Sequence, residues 1–357
     1  MQFDALQVPS FLARSLHGGV YTVGIDYVPL KEVTDVKPAR ALAALIACAA
    51  TIAVAQMPAW PAKPVRILVG ASAGGGTDII ARLLAEKYQA AFGQPFVVEN
   101  RPGAGNTIAA EVTARAPADG YTILIATNSA QAIAPHMMKL GFDPIRDLAP
   151  IALLVVVPNI VAVAPTVKAA TIRELVDEIR ASPGGYSCGS SGVGSTQHLA
   201  CEAFALATGT RIVHIPYKGS APALMDLVAG QIQLDFDTTS SAMSFVKSGK
   251  ARALAVMTPQ RSRELPDVPT LAEAGVPNVE MSTWYGLFMT AGAPREVQAR
   301  LYGETMRILA LPDVRQKLAG LGGEPGTLTS EQFAAMNRAD FERFGKLVRA
   351  ANIRIEP

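Results

Sequence analysis

Two glycine-rich segments carry the residue types best suited to binding an anion. Residues 70–78 (GASAGGGTD) and 189–196 (GSSGVGST) each follow an apolar or strand-like segment and precede a helical pattern. Glycine lets backbone N–H groups turn towards one point, and the following helix adds the positive end of its dipole. Serine and threonine hydroxyls supply further donors. The two segments therefore predict a site for a small anion that uses neither lysine nor arginine.

The sequence does not support the other chemistries that such loops serve. Neither segment contains the lysine of the GxxxxGK motif that P-loops carry. The loop serines lie outside a GxSxG motif, and no aspartate and histidine can be identified as triad partners. No CxxC motif or histidine–cysteine cluster indicates a metal site. We therefore predict binding without catalysis, cofactor or metal.

Three titratable residues near these segments have alternative interpretations. Asp78 could act as a base or pair with a cation, but an acid in a first helical turn also complements the helix dipole, which we favour. His198 could contact the ligand, or it could be a buried or capping histidine. Asp237 follows a predicted strand, where it could attract an ammonium group or cap the next segment.

The elements that must position these loops alternate between strands and helices. Short apolar runs at residues 65–69, 96–98 and 122–126 predict strands, and apolar residues at helical spacing follow residue 77. The cycle restarts near residue 171 and leads into the second loop. This alternation predicts an α/β fold with mostly parallel sheets. Two cycles predict two lobes, each contributing one loop to a cleft between them.

The order of the cycles also predicts where each lobe begins and ends. Residues 60–164 and 287–357 are assigned to the first lobe, because the C-terminal helices need a lobe on which to pack. Residues 165–286 are assigned to the second lobe. Crossovers near Ala164 and Tyr285 would then form a hinge.

The N-terminal segment decides the predicted compartment. Lys37 and Arg40 precede an uncharged apolar run that ends in small residues at Ala55, which is the pattern of a secretory signal peptide. The run of about 15 residues is shorter than the roughly 20 that a membrane-spanning helix needs. We therefore predict that residues 1–55 are an N-terminal extension and signal peptide, removed on export to the periplasm. The alternatives are a lipoprotein box ending at Cys48 and, for the acidic residues before the basic pair, an over-extended gene start.

Composition and charge indicate a globular protein that does not bind nucleic acid. Hydrophobic residues make up 50% of the 357-residue chain and charged residues 17%, which is enough for two packed cores. The formal net charge is only +2, without a basic stripe, so nucleic acid is not a predicted partner. We expect a monomer. Cys188 and Cys201 could pair in an oxidising compartment or lie buried as small hydrophobic residues.

Several segments together resemble one family of transport receptors. They are WPAKPVR (60–66), GGGTDIIAR (74–82), GQPFVVENRPGAG (93–105), DGYT (119–122), SSGVGSTQHL (190–199), IPYKGSAPA (215–223), GQI (230–232) and LPDVPT (265–270). Over residues 60–357 the chain is similar to Bug-type receptors, the substrate-binding proteins of tripartite tricarboxylate transporters. At Ala71 and Ser72 it departs from the proline and aromatic residue usual in this family, so the resemblance does not fix the ligand.

The resemblance implies a two-lobed fold of the type II periplasmic-binding-protein class, with a hinge and a ligand cleft. It also implies a receptor that binds a small carboxylate anion and delivers it to the permease subunits of its transporter. A receptor that reports to a signalling partner is the alternative. The predicted ligand-binding residues are Ser72, Gly74, Gly75, Asp78, Thr127, Ser129, Ser191, Gly194, Ser195, Thr196 and Asp237.

Overall fold

The computed structural model describes residues 7–12, 24–29 and 60–350 of the chain. Residues 1–59 and 60–357 form two separate units. In the first unit, strand β1 (Gln7–Leu12) pairs antiparallel with β2 (Gly24–Pro29). The predicted signal segment from Lys37 to Ala55 lies outside the described residues. Among the residues that are described, no helix has the length and apolar character needed to cross a bilayer.

A six-stranded mixed sheet forms the core of the first lobe of the second unit. Its strands are β3 (Val65–Val69), β4 (Phe96–Asn100), β5 (Thr122–Thr127), β6 (Leu148–Pro158), β12 (Ser282–Thr290) and β13 (Glu324–Pro325), in the order β13–β6–β12–β5–β3–β4. β3 runs parallel to β4 and β5, whereas β12 runs antiparallel between β5 and β6. Every residue of β5 is buried, as expected for a strand whose two faces are both covered.

A five-stranded sheet forms the core of the second lobe. Its strands are β7 (Ile160–Val163), β8 (Ser187–Ser190), β9 (Val213–Pro216), β10 (Leu234–Asp235) and β11 (Arg252–Val256), in the order β11–β7–β10–β8–β9. β8 runs parallel to β9 and β10, and β7 runs antiparallel to β10 and β11. The carboxyl ends of β8, β9 and β10 therefore lie at one edge of the sheet.

Helices follow the strands in both lobes. Those that follow strands of the first sheet are α1 (Gly76–Phe92), α2 (Thr107–Ala114), α7 (Arg295–Leu309), α8 (Pro312–Gly320) and α9 (Ser330–Ala350). Those that follow strands of the second are α3 (Ile172–Ala181), α4 (Thr196–Thr208), α5 (Ser220–Val228) and α6 (Thr239–Lys247). α1 illustrates the pattern, since Ile80, Leu84 and Tyr88 recur at helical spacing and are buried.

The chain crosses between the lobes at two places. β6 lies in the first sheet and β7 in the second, so the first crossover falls at Asn159, and the second precedes β12. Both lie a few residues before the positions predicted at Ala164 and Tyr285, because strand pairing, which local sequence does not reveal, decides them. Asn159 fixes the first crossover: its Nδ2 donates to Phe236 O, and its Oδ1 accepts from Thr283 Oγ1, both at 2.9 Å.

The two cysteines whose pairing the sequence left open form a disulfide bond. Cys188 on β8 and Cys201 on α4 are bonded, with their Cα atoms 6.7 Å apart, and both are buried. The bond joins the strand before the second glycine-rich loop to the helix after it. The loop is therefore held at both ends by a covalent link as well as by packing.

Candidate functional site

The cleft between the lobes encloses a small cavity where α1 and α4 begin. Its volume is about 20 Å³, room for roughly one water molecule. The cavity lies at the carboxyl ends of strands from both sheets, the usual position of ligands in α/β folds. Its lining residues are Ala71, Gly76, Thr77, Asn106, Thr127, Ser129, Ser191, Thr196, Gln197, Ser220, Thr238, Ser241, Thr283 and Tyr285.

The lining is polar but carries no formal charge. Among the described residues that line the cavity, none is Asp, Glu, Lys, Arg or His. Hydroxyl groups dominate, and the amides of Asn106 and Gln197 complete the polar set. Thr77 and Gln197 lie in first helical turns, where a backbone N–H has no acceptor within its own helix. An anion here would thus be stabilised by dipoles and hydrogen bonds.

Each helix N-terminus is bonded to a hydroxyl from the opposite lobe. Gly76 N–H at the start of α1 donates to Ser241 Oγ of the second lobe at 2.9 Å. Thr196 N–H at the start of α4 donates to Ser129 Oγ of the first lobe at 3.0 Å. Both hydroxyl oxygens thus lie where a helix N-terminus favours an oxygen acceptor, and the two bonds hold the cleft closed.

Asp78 braces the first glycine-rich loop and does not line the cavity. Its Oδ2 accepts from Gly74 N–H at 3.0 Å and from Arg82 Nε at 2.9 Å, and its Oδ1 accepts from Asn100 Nδ2 at 3.0 Å. Burial raises the pKa of this carboxyl, but the bonds from Arg82, Gly74 and Asn100 outweigh that effect and leave the pKa below its usual value. Asp78 is therefore a charged structural residue at neutral pH.

Two stacked histidines support the second glycine-rich loop. The rings of His198 and His214 lie 3.9 Å apart, centroid to centroid, at an angle of 17°. His214 Nε2 lies 2.6 Å from Ser190 Oγ, and His198 Nδ1 accepts from Gly194 N–H at 3.4 Å. Burial lowers the pKa of His198 to about 4, and burial together with the neighbouring imidazole lowers that of His214 to about 3. Both rings are therefore neutral at pH 7.

Two buried aspartates lie behind the second-lobe wall of the cavity. Asp237 Oδ1 accepts from Thr238 N–H at 2.6 Å, from Ser220 Oγ at 2.9 Å and from Gln197 Nε2 at 3.0 Å. Burial raises the pKa of Asp237 despite these bonds. Neither carboxyl oxygen of Asp235 has a hydrogen-bond partner among the described residues. Burial and the nearby Asp237 raise the pKa of Asp235 well above its usual value.

The predicted site residues divide into two groups. Thr127, Ser129, Ser191 and Thr196 line the cavity. The others lie outside the lining and build the loops, as Ser195 does by accepting His198 N–H at 3.2 Å to cap α4. This second group comprises Ser72, Gly74, Gly75, Asp78, Gly194, Ser195 and Asp237.

Several lining residues were not predicted from the sequence. Thr283 and Tyr285 come from β12, which enters the first sheet after the excursion through the second lobe. Ser241 lies in α6 and reaches across the cleft. Gln197 could have been predicted from the sequence, because it lies in the first turn of the helix that follows the second loop. Asn106, which follows β4, has a left-handed backbone conformation. It was not predicted because it lies outside both glycine-rich loops.

Removal of the Asp235 carboxyl is expected to stabilise the protein. Asp235→Leu would replace an unpartnered buried polar group with an apolar one, raising the free energy of unfolding by about 1–3 kcal/mol. The native state retains the Asp235 proton at pH values where the unfolded chain has lost it. The gain should therefore be larger at pH 8 than at pH 5. Urea titrations at both pH values measure it.

The exposed acid Asp177 in the same lobe provides a matched control for this substitution. Asp177→Leu should change the unfolding free energy little at either pH, since a surface substitution removes no buried group. A loss of stability in Asp235→Leu, or an equal gain at both pH values, would contradict the role assigned to its burial.

Known proteins offer an independent comparison. The family described as the tripartite tricarboxylate transporter family receptor matches residues 80–353. The periplasmic binding protein BugD is 32% identical, with a TM-score of 0.80 over 83% of this chain and 100% of BugD. An R. palustris protein with adipate is 35% identical, with a TM-score of 0.80 over 83% and 99% of the two chains. MatC from Rhodopseudomonas palustris with bound malate is 29% identical, with a TM-score of 0.78 over 81% and 100%.

Proposed function

The chain belongs to the tripartite tricarboxylate transporter receptor family, and from that premise we propose that it captures a small carboxylate anion and delivers it to a membrane permease. The resemblance to Bug-type receptors is confirmed, as is the α/β periplasmic-binding-protein fold. The family consists of solute-binding receptors.

One observation carries the proposal: two helix N-termini meet at a cavity that is polar and uncharged. A carboxylate bound there would accept from backbone N–H groups such as that of Thr77 and from hydroxyls such as that of Thr127. No lining carboxylate of the protein would repel it. The adipate and malate of the two R. palustris structures are dicarboxylates, which supports the same ligand class here.

Ligand entry requires the two lobes to separate. A cavity of about 20 Å³ is far smaller than a dicarboxylate, so the cleft must widen before one can bind. Two crossovers, at Asn159 and before β12, allow such a hinge motion. Opening breaks the bonds from Gly76 to Ser241 and from Thr196 to Ser129, which frees both helix N-termini for the ligand.

Export places this receptor in the periplasm, where its permease can receive the ligand. The signal-like segment ending at Ala55 supports removal of residues 1–55 during export. Periplasmic binding proteins among the similar structures support the same compartment. We propose that the mature receptor works as a monomer, and that its binding of the carboxylate involves no chemical conversion.

Loss of the Thr127 hydroxyl is expected to weaken carboxylate binding at least tenfold. Thr127 Oγ1 is buried at the cavity and has no hydrogen-bond partner among residues 60–349, so it is available as a donor. A hydrogen bond to a charged group is worth about 1.5–3 kcal/mol, and valine preserves the side-chain shape. Calorimetry on Thr127→Val with adipate, malate and the uncharged diamide adipamide would test this.

Thr113→Val serves as the matched control. Thr113 is equally buried, but its hydroxyl donates to Ala109 O of its own helix and does not line the cavity. Its substitution should leave the affinities unchanged. Adipamide binding as tight as adipate, or unchanged affinity in Thr127→Val, would overturn the proposed recognition of a carboxylate.

A further inference from the structure

Gln197 lies at the centre of a buried hydrogen-bond network on the second-lobe side of the cavity. Its Nε2 donates to Asp237 Oδ1 and to Ser220 Oγ, both at 3.0 Å. Its Oε1 accepts from Ser191 Oγ at 3.0 Å and from Thr196 Oγ1 at 3.2 Å. The direction of each of these bonds determines what the wall presents to a ligand.

Asp237 fixes the orientation of the Gln197 amide. Asp237 Oδ1 already accepts the backbone N–H of Thr238 at 2.6 Å. It is therefore an acceptor whether the carboxyl is ionised or protonated, because a proton would occupy Oδ2, which has no partner among the described residues. The atom of Gln197 that faces Oδ1 must then be the nitrogen, and Oε1 must face Ser191 and Thr196.

The Ser191 hydroxyl consequently offers the cavity a lone pair and not a proton. A hydroxyl has one proton, and an amide oxygen can only accept, so Ser191 Oγ donates that proton to Gln197 Oε1. Ser191 nevertheless lines the cavity. A ligand group that contacts its oxygen must therefore donate a hydrogen bond to it.

The Thr196 hydroxyl also donates its proton within the protein and so presents an acceptor to the cavity. Asn159 Nδ2 donates to Phe236 O, so its Oδ1 faces Thr283 Oγ1 and receives the only hydroxyl proton of Thr283. Thr283 Oγ1 also lies 3.0 Å from Thr196 Oγ1. The Thr196 proton therefore goes either to Gln197 or to Thr283, and in both cases the cavity side of Thr196 is an acceptor.

On the first-lobe side of the cavity, by contrast, two free polar groups are hydrogen-bond donors. Thr127 Oγ1 has no partner among residues 60–349, and the first-turn N–H of Thr77 has no acceptor within α1. Thr127 and Thr77 both line the cavity, and these two groups can donate to a carboxylate. One wall thus offers donors, while the hydroxyls of Ser191 and Thr196 offer acceptors.

We propose that Gln197, held by Asp237, determines ligand specificity by making the second-lobe wall accept a hydrogen bond. The ligand class that fits both walls is a carboxylate with a hydroxyl or ammonium group beside it. Its carboxylate faces Thr127 and Thr77, and its donor group faces Ser191 and Thr196. This inference rests on the proposed function, since it assumes that a carboxylate binds in the cleft.

Malate and succinate test the inference, because they differ by a single hydroxyl group. We expect the wild-type protein to bind malate about tenfold more tightly than succinate, as measured by calorimetry. Ser191→Ala should lower the affinity for malate about tenfold and leave that for succinate unchanged. A Ser191 hydroxyl that instead donated to the carboxylate would make the substitution weaken both ligands alike, which would overturn the inference, as would no change for either.

Gln197→Met provides a second variant, which acts indirectly through the Ser191 hydroxyl. It removes the acceptor of the Ser191 proton, so that hydroxyl becomes free to donate, and the preference for malate over succinate should disappear. Retention of the preference in folded Gln197→Met would overturn the inference. Ser187→Ala, on the same strand as the second loop but outside the lining, is the matched control and should change neither affinity.

The outcomes also separate this inference from the proposed function. Equal binding of malate and succinate by the wild-type protein would overturn the specificity argument and leave a carboxylate receptor intact. Failure of adipate, malate, succinate and aspartate all to bind would count against the proposed function itself. Aspartate, which carries an ammonium group at the same position, is expected to respond to both substitutions as malate does.

Discussion

Replacement of Gly76 by valine is expected to weaken carboxylate binding about 100-fold. A Cβ atom at Gly76 would lie 2.7 Å from Tyr285 Oη and 3.0 Å from Ser241 Oγ, and closer still to Ser240 Oγ. Ser240 and Ser241 belong to the second lobe, so a side chain at this position would prevent the lobes from closing again around a bound carboxylate. Overpacking of this kind costs up to about 3 kcal/mol, which corresponds to about 100-fold in affinity.

Calorimetry with adipate and malate would measure the effect, and Gly76→Ala should give a smaller loss in the same direction. Gly303→Val is the matched control, because Gly303 is also a helical glycine but is exposed, and its Cβ would meet nothing within 4 Å. Circular dichroism would verify that each variant is folded. Wild-type affinity in folded Gly76→Val would contradict the expectation that a side chain at this position interferes with the closed cleft.

The glycines of the first loop show where reasoning from the sequence stops. Three consecutive glycines indicate close backbone approach, and the sequence led us to Gly74 and Gly75. Gly75 has φ −76° and ψ 163°, an extended conformation open to any residue, and its Cβ would lie 3.2 Å from Ser72 O within the same loop. Gly76 is the glycine pressed against the other lobe, because its neighbours are brought to it by chain folding over 160 positions away. No local pattern reveals that partner.

The second loop was more predictable, because its constraint is partly local. Gly194 has φ +81°, which disfavours any side chain, and its Cβ would lie 2.9 Å from Ala134 of the first lobe. The glycine-rich pattern located this residue, and the structure shows that Ser195, predicted as a ligand contact, is the N-cap of α4. The strand–loop–helix units were likewise predictable from apolar periodicity. The bonds from Gln197 to Ser220 and Asp237 were not predictable, because these three residues lie in segments that only the packing of the lobe brings together.

The two stacked histidines are expected to make the protein sensitive to acid. Their pKa values of about 4 and about 3 lie below the value of 6.5 expected in the unfolded chain. Below pH 6.5 the unfolded state therefore takes up protons that the folded state refuses, so stability is lost as the pH falls. Each imidazole contributes a slope of up to about 1.4 kcal/mol per pH unit between pH 6.5 and the folded pKa. Burial raises the pKa values of Glu202, Asp235 and Asp237, so these carboxyls take up protons in the folded state before they do in the unfolded chain and offset part of this loss.

Urea titrations from pH 7 to pH 4 would measure the net dependence of stability on pH, and His214→Gln isolates the contribution of one ring. Glutamine can still bond to Ser190 Oγ but does not titrate, so the slope should fall by about 1.4 kcal/mol per pH unit. His136→Gln is the comparison from the other lobe: its burial also lowers its pKa, but it belongs to no stacked pair. It should alter the slope less than His214→Gln does, because His136 is only partly buried. An unchanged slope in folded His214→Gln would show that the neutral histidine pair does not contribute to the loss of stability in acid.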